Sequence, residues 1–181
     1  MSMKSYDYTN RKGSRPISWD EFAALSRQLA ERLTDAEIII GIARAGLFPA
    51  TAVACSLRRE LYPVRVTRRV NDEVRYSTPI WRVPVTGEVA GKRVAVVDEI
   101  ADTGETLALV AARARALGAT QVRTACLVSH SWANPAPDVC TLVSDALVIF
   151  PWDQQVFIEG RWQSHPEIVA GLNAQDKDAE S

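Results

Sequence analysis

A chain of 181 residues, 47% hydrophobic and 24% charged, fits one globular domain, or one domain with a small appendage. A formal net charge of −1 excludes a broad nucleic-acid coat or an anionic-membrane binder, since both need a clear excess of Lys and Arg. At this length folding buries about 70% of the unfolded surface, enough for one substantial core.

The start, Met1 to Asn10, is polar and lacks the apolar stretch of a secretory signal. No apolar run approaches the ~20 residues of a membrane span, so a cytoplasmic, reducing location is expected. Cys55, Cys126 and Cys140 are odd in number and widely spaced, which gives neither a disulfide framework nor a metal-site spacing. Their apolar surroundings predict three buried small hydrophobes.

Residues 1–16 carry Tyr6, Tyr8, Arg11, Lys12 and Arg15 without periodicity and read as an irregular arm. Ser18-Trp19-Asp20-Glu21 is a capping box, and Phe22, Leu25, Leu29 and Leu33 lie on one helical face, so a helix runs from here to about Thr34-Asp35. Glu37 to Ile42 is a short β-branched run suited to a strand buried on both faces. After a turn at Ala43 to Gly46, Pro49 to Leu57 reads as a helix and Leu61 to Thr67 as a strand.

Arg68 to Gly91 is polar and aperiodic, and reads as a long loop with short ribbon strands at Trp81–Val85. Arg93 to Asp98 is a second buried strand, followed by a helix from Thr106 to Leu117 closed by Gly118. Val122–Val128, Cys140–Val143 and Leu147–Phe150 complete the strands, the last of these being the final one. From Ala170 the chain ends in a polar, frayed tail. Alternating strands and helices predict an α/β fold with a central, mostly parallel sheet flanked by helices.

Val96-Val97-Asp98-Glu99-Ile100-Ala101-Asp102-Thr103-Gly104-Glu105-Thr106 runs from the carboxyl end of a buried strand to a helix start. In open α/β sheets ligands bind at that edge. Thr103, Gly104 and Thr106 offer amides and hydroxyls at a helix N-terminus, where a phosphate monoester fits. The acidic pair Asp98-Glu99 makes sense facing hydroxyls or a bound divalent cation. Asp102 stands between the pair and the cradle, able to take or give a proton near a sugar.

These residues resemble the signature of the type I phosphoribosyltransferase family, whose substrate is 5-phosphoribosyl-1-pyrophosphate (PRPP). The resemblance covers about Ile17 to Asp153. It implies that Asp98 and Glu99 serve the ribose hydroxyls and metal, and that Ala101, Asp102, Thr103, Gly104, Glu105 and Thr106 wrap the 5′-phosphate. Asp102 matches the residue placed to exchange a proton with the base in the purine branch. Ala43-Arg44-Ala45-Gly46 resembles the family's pyrophosphate loop, which implies a non-proline cis peptide at Ala43–Arg44. Ala45 stands where the family usually has a glycine.

Arg68, Arg69 and Arg75 read either as a solvated basic loop or, by the resemblance, as the flexible loop that closes over pyrophosphate; Arg68 and Arg69 are its pyrophosphate candidates. Tyr76-Ser77 reverses the family's usual order, and neither takes a role. Phe150-Pro151-Trp152-Asp153 reads either as a core or interface cluster or, by resemblance to 6-oxopurine enzymes, as the strand end that packs the base. The resemblance makes Ile100, His130, Val148 and Trp152 base-binding candidates and Asp153 a further magnesium ligand. Two departures bear on the base. Where 6-oxopurine enzymes carry a Lys, this chain has His130, or Ser129 under a one-residue shift, and Leu147 occupies the position of a stacking aromatic.

The resemblance therefore implies one phosphoribosyltransferase domain over residues 1–181, with a small hood from the chain ends and a C-terminal base-site segment at about 129–170. It implies Mg²⁺ as cofactor, PRPP and a 6-oxopurine base as partners, and a homodimer or homotetramer; neither nucleic acid nor membrane is expected. Another acceptor base, or a PRPP sensor without transfer activity, is the alternative. A plain nucleotide-binding module ranks last, because no Gly-Lys-Ser/Thr or Gly-x-Gly-x-x-Gly is present.

Overall fold

The computed structural model describes residues 11–70 and 73–179. Most of the expected arm, with Tyr6 and Tyr8, lies outside the described residues, as do 71–72 and 180–181. The chain forms two compact units. One comprises residues 23–143, the other both chain ends, 1–22 and 144–181.

In chain order the first elements are β1 (Ser14–Pro16), α1 (Trp19–Glu31), β2 (Ile38–Ile42), α2 (Leu47–Leu57) and β3 (Glu60–Thr67). Next come β4 (Arg69–Val70), β5 (Glu73–Val74), β6 (Ile80–Val83) and β7 (Arg93–Ala101). The chain continues with α3 (Glu105–Ala116), β8 (Gln121–Ser129), β9 (Val139–Val143), β10 (Leu147–Ile149), β11 (Gln155–Ile158), β12 (Arg161–Ser164) and α4 (Pro166–Ala179). Among the described residues no helix is long and apolar enough to cross a membrane.

The larger unit is built on a six-stranded sheet in the order β6-β3-β2-β7-β8-β9. All neighbours are parallel except β6, which runs antiparallel to β3. Every residue of β2 is buried, as its β-branched run predicts for a strand covered on both faces. Ile40, Val64, Val96, Val110 and Ala111 share one core, to which each fully buried Ile or Val contributes about 1.5–3 kcal/mol. The α2 helix packs on β2 and β7, and α3 on β7 and β8. From β2 the chain crosses through α2 to β3 on one side; from β7 it crosses through α3 to β8 on the other. The strand order thus reverses between β2 and β7, which opens a crevice at the carboxyl ends of those two strands.

The described residues between 68 and 91 form more regular structure than a loop. Strands β4 and β5 pair antiparallel, and the amides of Arg75 and Tyr76 donate to the Arg68 carbonyl at 2.8 and 3.0 Å. Strand β6 extends the sheet, and Val85 and Val89 are buried in the core. The apolar residues here are too sparse to set a period, but Ile80, Trp81 and Val83 pair with β3 at the sheet edge. Strand β7 is also longer than expected, because pairing with β8 continues through Ile100 and Ala101. Of the cysteines only Cys126 is buried; Cys140 is half-buried on the outermost strand and Cys55 is exposed on α2.

In the smaller unit, β1 pairs parallel with β10, so the supposed arm contributes a strand. Ser18 caps α1 by accepting the Glu21 amide at 3.1 Å, and the Glu21 carboxylate engages the Arg15 guanidinium. Helix α1 ends at Glu31, earlier than expected, with Leu33 buried beyond it. β10 is not the last strand. Strands β11 and β12 form a hairpin through Glu159 and Gly160, both at positive φ (51° and 79°) as a tight primed turn requires. Phe157 pairs across it with Trp162, ring centroids 5.5 Å apart. The expected frayed tail is helical to Ala179, because α4 packs on β10 and Gln175 Nε2 donates to the Gly13 carbonyl at 3.2 Å.

Candidate active site

Two loops leave the sheet at the reversal point. The first follows β2. The Ala43 amide donates to the Val64 carbonyl at 2.7 Å, the Ala43–Arg44 peptide is cis, and Arg44 to Gly46 turn directly into α2. Arg44 is exposed, and Ala45 is half-buried. The second follows β7, where Asp98, Glu99 and Ile100 are half-buried, Ala101 is buried and Asp102 is half-buried.

The loops touch at Gly46. A Cβ there would collide with Asp98 Oδ1 and reach Asp98 Cα at 2.9 Å. Gly46 has ordinary helical angles (φ −61°, ψ −14°), so space, not backbone conformation, requires the glycine. The Asp98 carboxyl also accepts the Glu99 amide at 3.0 Å. Desolvation, and then the adjacent Glu99 charge, push Asp98 well above the ordinary carboxylate range.

Beyond the acid pair the chain forms a cradle. Thr103 Oγ1 accepts the Glu105 amide at 3.4 Å, and Gly104 takes φ +83° before α3 begins at Glu105. The opening amides of α3 point out of its N-terminus, where they favour an anion. Thr103, Glu105 and Thr106 are exposed, as a phosphate grip requires.

One wall of this cradle was absent from the sequence reading. The Asn134 amide donates to the Thr103 carbonyl at 2.9 Å, and the Pro135 carbonyl lies where a Gly104 side chain would have to go. The Asn134–Pro135 bond is cis. The Asn-Pro pair is a visible turn signal, but nothing in the sequence says which loop it meets. His130 lies at the start of this segment and is only 2% exposed. Its amide donates to the Ala101 carbonyl at 3.1 Å, its ring stacks on Trp132 at 4.4 Å, and its Nε2 lies 3.7 Å from Asp102 Oδ1.

Arg68 is exposed, and Arg69 lies in β4. The remaining predicted residues belong to the other unit. There Val148 is half-buried on β10, and the Asp153 amide donates to the Phe150 carbonyl at 3.0 Å. Trp152 stacks on Phe150 at 4.8 Å and 4°, with Phe22 edge-on at 5.4 Å, so the aromatic cluster is real.

Comparison with known proteins agrees with this geometry. Residues 18–160 match the phosphoribosyl transferase domain family. The chain is 30% identical over 144 residues to a xanthine-guanine phosphoribosyltransferase of Idiomarina loihiensis, covering 77% of this chain and 87% of that protein. A xanthine-guanine phosphoribosyltransferase of Nitratidesulfovibrio vulgaris is 28% identical over 150 residues, 78% of this chain and 85% of its own length. The crystal structure of a purine phosphoribosyltransferase from Pyrococcus horikoshii superposes with a TM-score of 0.72 at 30% identity, covering 83% of this chain and all (100%) of that one. With that match spanning most of its length, the chain belongs to the phosphoribosyl transferase domain family.

Proposed function

We propose that the chain transfers the phosphoribosyl group of PRPP to a 6-oxopurine, guanine, xanthine or hypoxanthine, in purine salvage. The bond from sugar C1 to pyrophosphate oxygen breaks, a bond from C1 to a ring nitrogen forms, and the nitrogen's proton is lost. The observation that carries the reading is the contact of Gly46 with Asp98, which joins a pyrophosphate-type loop to a ribose-type acid pair at the crevice. The names of the relatives support the purine assignment.

Each residue then has a task. The cradle from Ala101 to Thr106 holds the 5′-phosphate with amides and hydroxyls. Asp98 and Glu99 hold the ribose. Arg44, the amides around it, and Arg68 and Arg69 stabilise charge on the departing pyrophosphate, usually the largest catalytic contribution. Asp102 takes the proton from the base. By the family resemblance Ile100, Val148 and Trp152 serve the base.

Magnesium fits the donor set. Asp98 and Glu99 are hard oxygen donors, both half-buried at the crevice. That suits an ion that takes one or two carboxylates and completes its shell with substrate phosphates and water. Asp98 and Glu99 would hold it, and it would supply positive charge to the pyrophosphate. A cytoplasmic homodimer or homotetramer belongs to the same reading.

A panel of guanine, xanthine, hypoxanthine, adenine and uracil with PRPP and magnesium tests it. Nucleotide and pyrophosphate should form with a 6-oxopurine. Turnover confined to adenine or uracil would overturn the acceptor, and PRPP binding with no transfer to any base would make the chain a sensor.

A further inference from the structure

The resemblance puts a base-reading cation at position 130, or at 129 under a one-residue shift, but His130 is not built to face a ligand. Its side chain is 1% exposed, whereas that of Asp102 is 31% exposed. Trp132 lies nearly parallel over the imidazole, 15° between the planes, and is itself 36% exposed, so the indole screens the ring from water. The backbone is fixed from both sides. The His130 amide donates to the Ala101 carbonyl, the residue just before Asp102, and the His130 carbonyl accepts the Ser129 hydroxyl at 3.1 Å. The imidazole therefore reaches the crevice through Asp102. The Nε2 to Oδ1 separation of 3.7 Å is ion-pair range and longer than a hydrogen bond, a looseness common before substrate binds.

From this geometry we infer that His130 is a positioning residue for Asp102: its imidazole engages Oδ1 and leaves the other carboxylate oxygen turned towards the base. A carboxylate at a loop tip has rotational freedom that a proton transfer cannot tolerate. A buried ring, clamped by stacking and by the Ala101 bond, removes that freedom without occupying the base site. The structural alternative is a histidine that merely fills space under Trp132. It predicts that His130→Phe costs the same with or without the Asp102 carboxylate.

The kinetic part of the test rests on the reading of Asp102 as the group that takes the base proton; the spectroscopic part does not. The chain has two histidines, His130 and His165, so in a His165→Gln background the imidazole NMR signals report on His130 alone. Asp102→Asn should move the His130 titration midpoint down by about one unit or more, the usual effect of losing a carboxylate within ~4–6 Å. An unchanged midpoint and unchanged ring shifts would overturn the pairing. In turnover, His130→Phe keeps the stack and removes the N–H, and should lower kcat by on the order of 10²-fold with KM for PRPP nearly constant. His130→Gln, which restores an N–H, should recover much of that loss. In the Asp102→Asn background His130→Phe should cost little more; an equal loss in both backgrounds would make the role packing and refute the inference. If the folded chain transfers to no base, the function falls while the NMR result still decides the pair, as it does if His130→Phe fails to fold.

Discussion

Gly46 and Asp98 are in such close contact that no side chain fits between them: an added Cβ would stand 2.9 Å from Asp98 Cα and collide with its carboxylate. Gly46 needs no unusual backbone freedom, since its φ is −61°. Gly46→Ala should therefore cost stability through overpacking alone, about 1–3 kcal/mol. It should also displace Asp98 and weaken PRPP uptake at least tenfold, on the order of 1.4 kcal/mol. Thermal melts with titration calorimetry check both; an alanine variant that binds PRPP like the parent would mean the loop and the acid pair are independent.

Asp98 is harder to ionise in the folded chain than in the unfolded one, because it is desolvated and adjoins Glu99. A group with a raised folded pKa contributes stability that is complete below its unfolded value, about 3.9, and is lost as pH rises through the folded value. Asp98→Asn removes that loss. Its melting temperature should match the parent near pH 4 and exceed it increasingly towards neutrality, while magnesium-dependent PRPP binding disappears. Parallel melting curves across the whole range would show that Asp98 ionises freely.

The sheet was legible because its central strands are short, apolar, largely β-branched runs, such as Ile38 to Ile42, separated by stretches with turn and helix signals. The cradle was legible because Asp98 to Thr106 carries its own chemistry in adjacent residues. What escaped was contact between distant segments. Neither Pro135 over Gly104 nor His130 behind Asp102 leaves a local mark, since burial of a single histidine depends on which loop returns to cover it. The β11–β12 hairpin escaped for another reason. Its strands pair only with each other, so Phe157 and Trp162 stay exposed and no buried face imposes alternation. Its turn, Glu159-Gly160, lacks the Asn-Gly or Asp-Gly signal.

Gly104 differs from Gly46 in needing both space and conformation. With φ +83° an L side chain is strained by about 1–2 kcal/mol, and the Pro135 carbonyl blocks its Cβ. Gly91 also has positive φ (74°) but nothing within 4 Å, which makes Gly91→Ala the control for conformation alone. Gly104→Ala should lose clearly more stability by denaturant titration, and should lose binding of ribose 5-phosphate, which Gly91→Ala should retain. Equal losses in the two variants would remove Pro135 from the argument.

Asp102 can be separated from the phosphate grip. Asp102→Asn keeps the shape of the side chain and the cradle's amides, so PRPP affinity should change little. Turnover should fall by about 10²–10⁴-fold, the range for losing a general acid or base. Steady-state kinetics on the 6-oxopurine that the base panel selects gives the split. A variant with parental kcat would leave the base proton to water.

Cys126 and Cys140 are register partners on adjacent parallel strands, on the same face of the sheet as Asp98, which is the register partner of Cys126 on its other side. The neighbouring Cys126 thiol is the largest cause of a Cys140 pKa lowered to about 7. The nearness of Cys140, with burial, pushes Cys126 up. Cys126→Ala should therefore raise the Cys140 pKa and slow its alkylation at neutral pH, because the thiolate is the nucleophile. The measurement is the pH profile of iodoacetamide labelling by mass spectrometry in a Cys55→Ser background, which removes the exposed competitor. The same labelling profile with and without Cys126 would mean the two sulfurs sit side by side without sharing a proton.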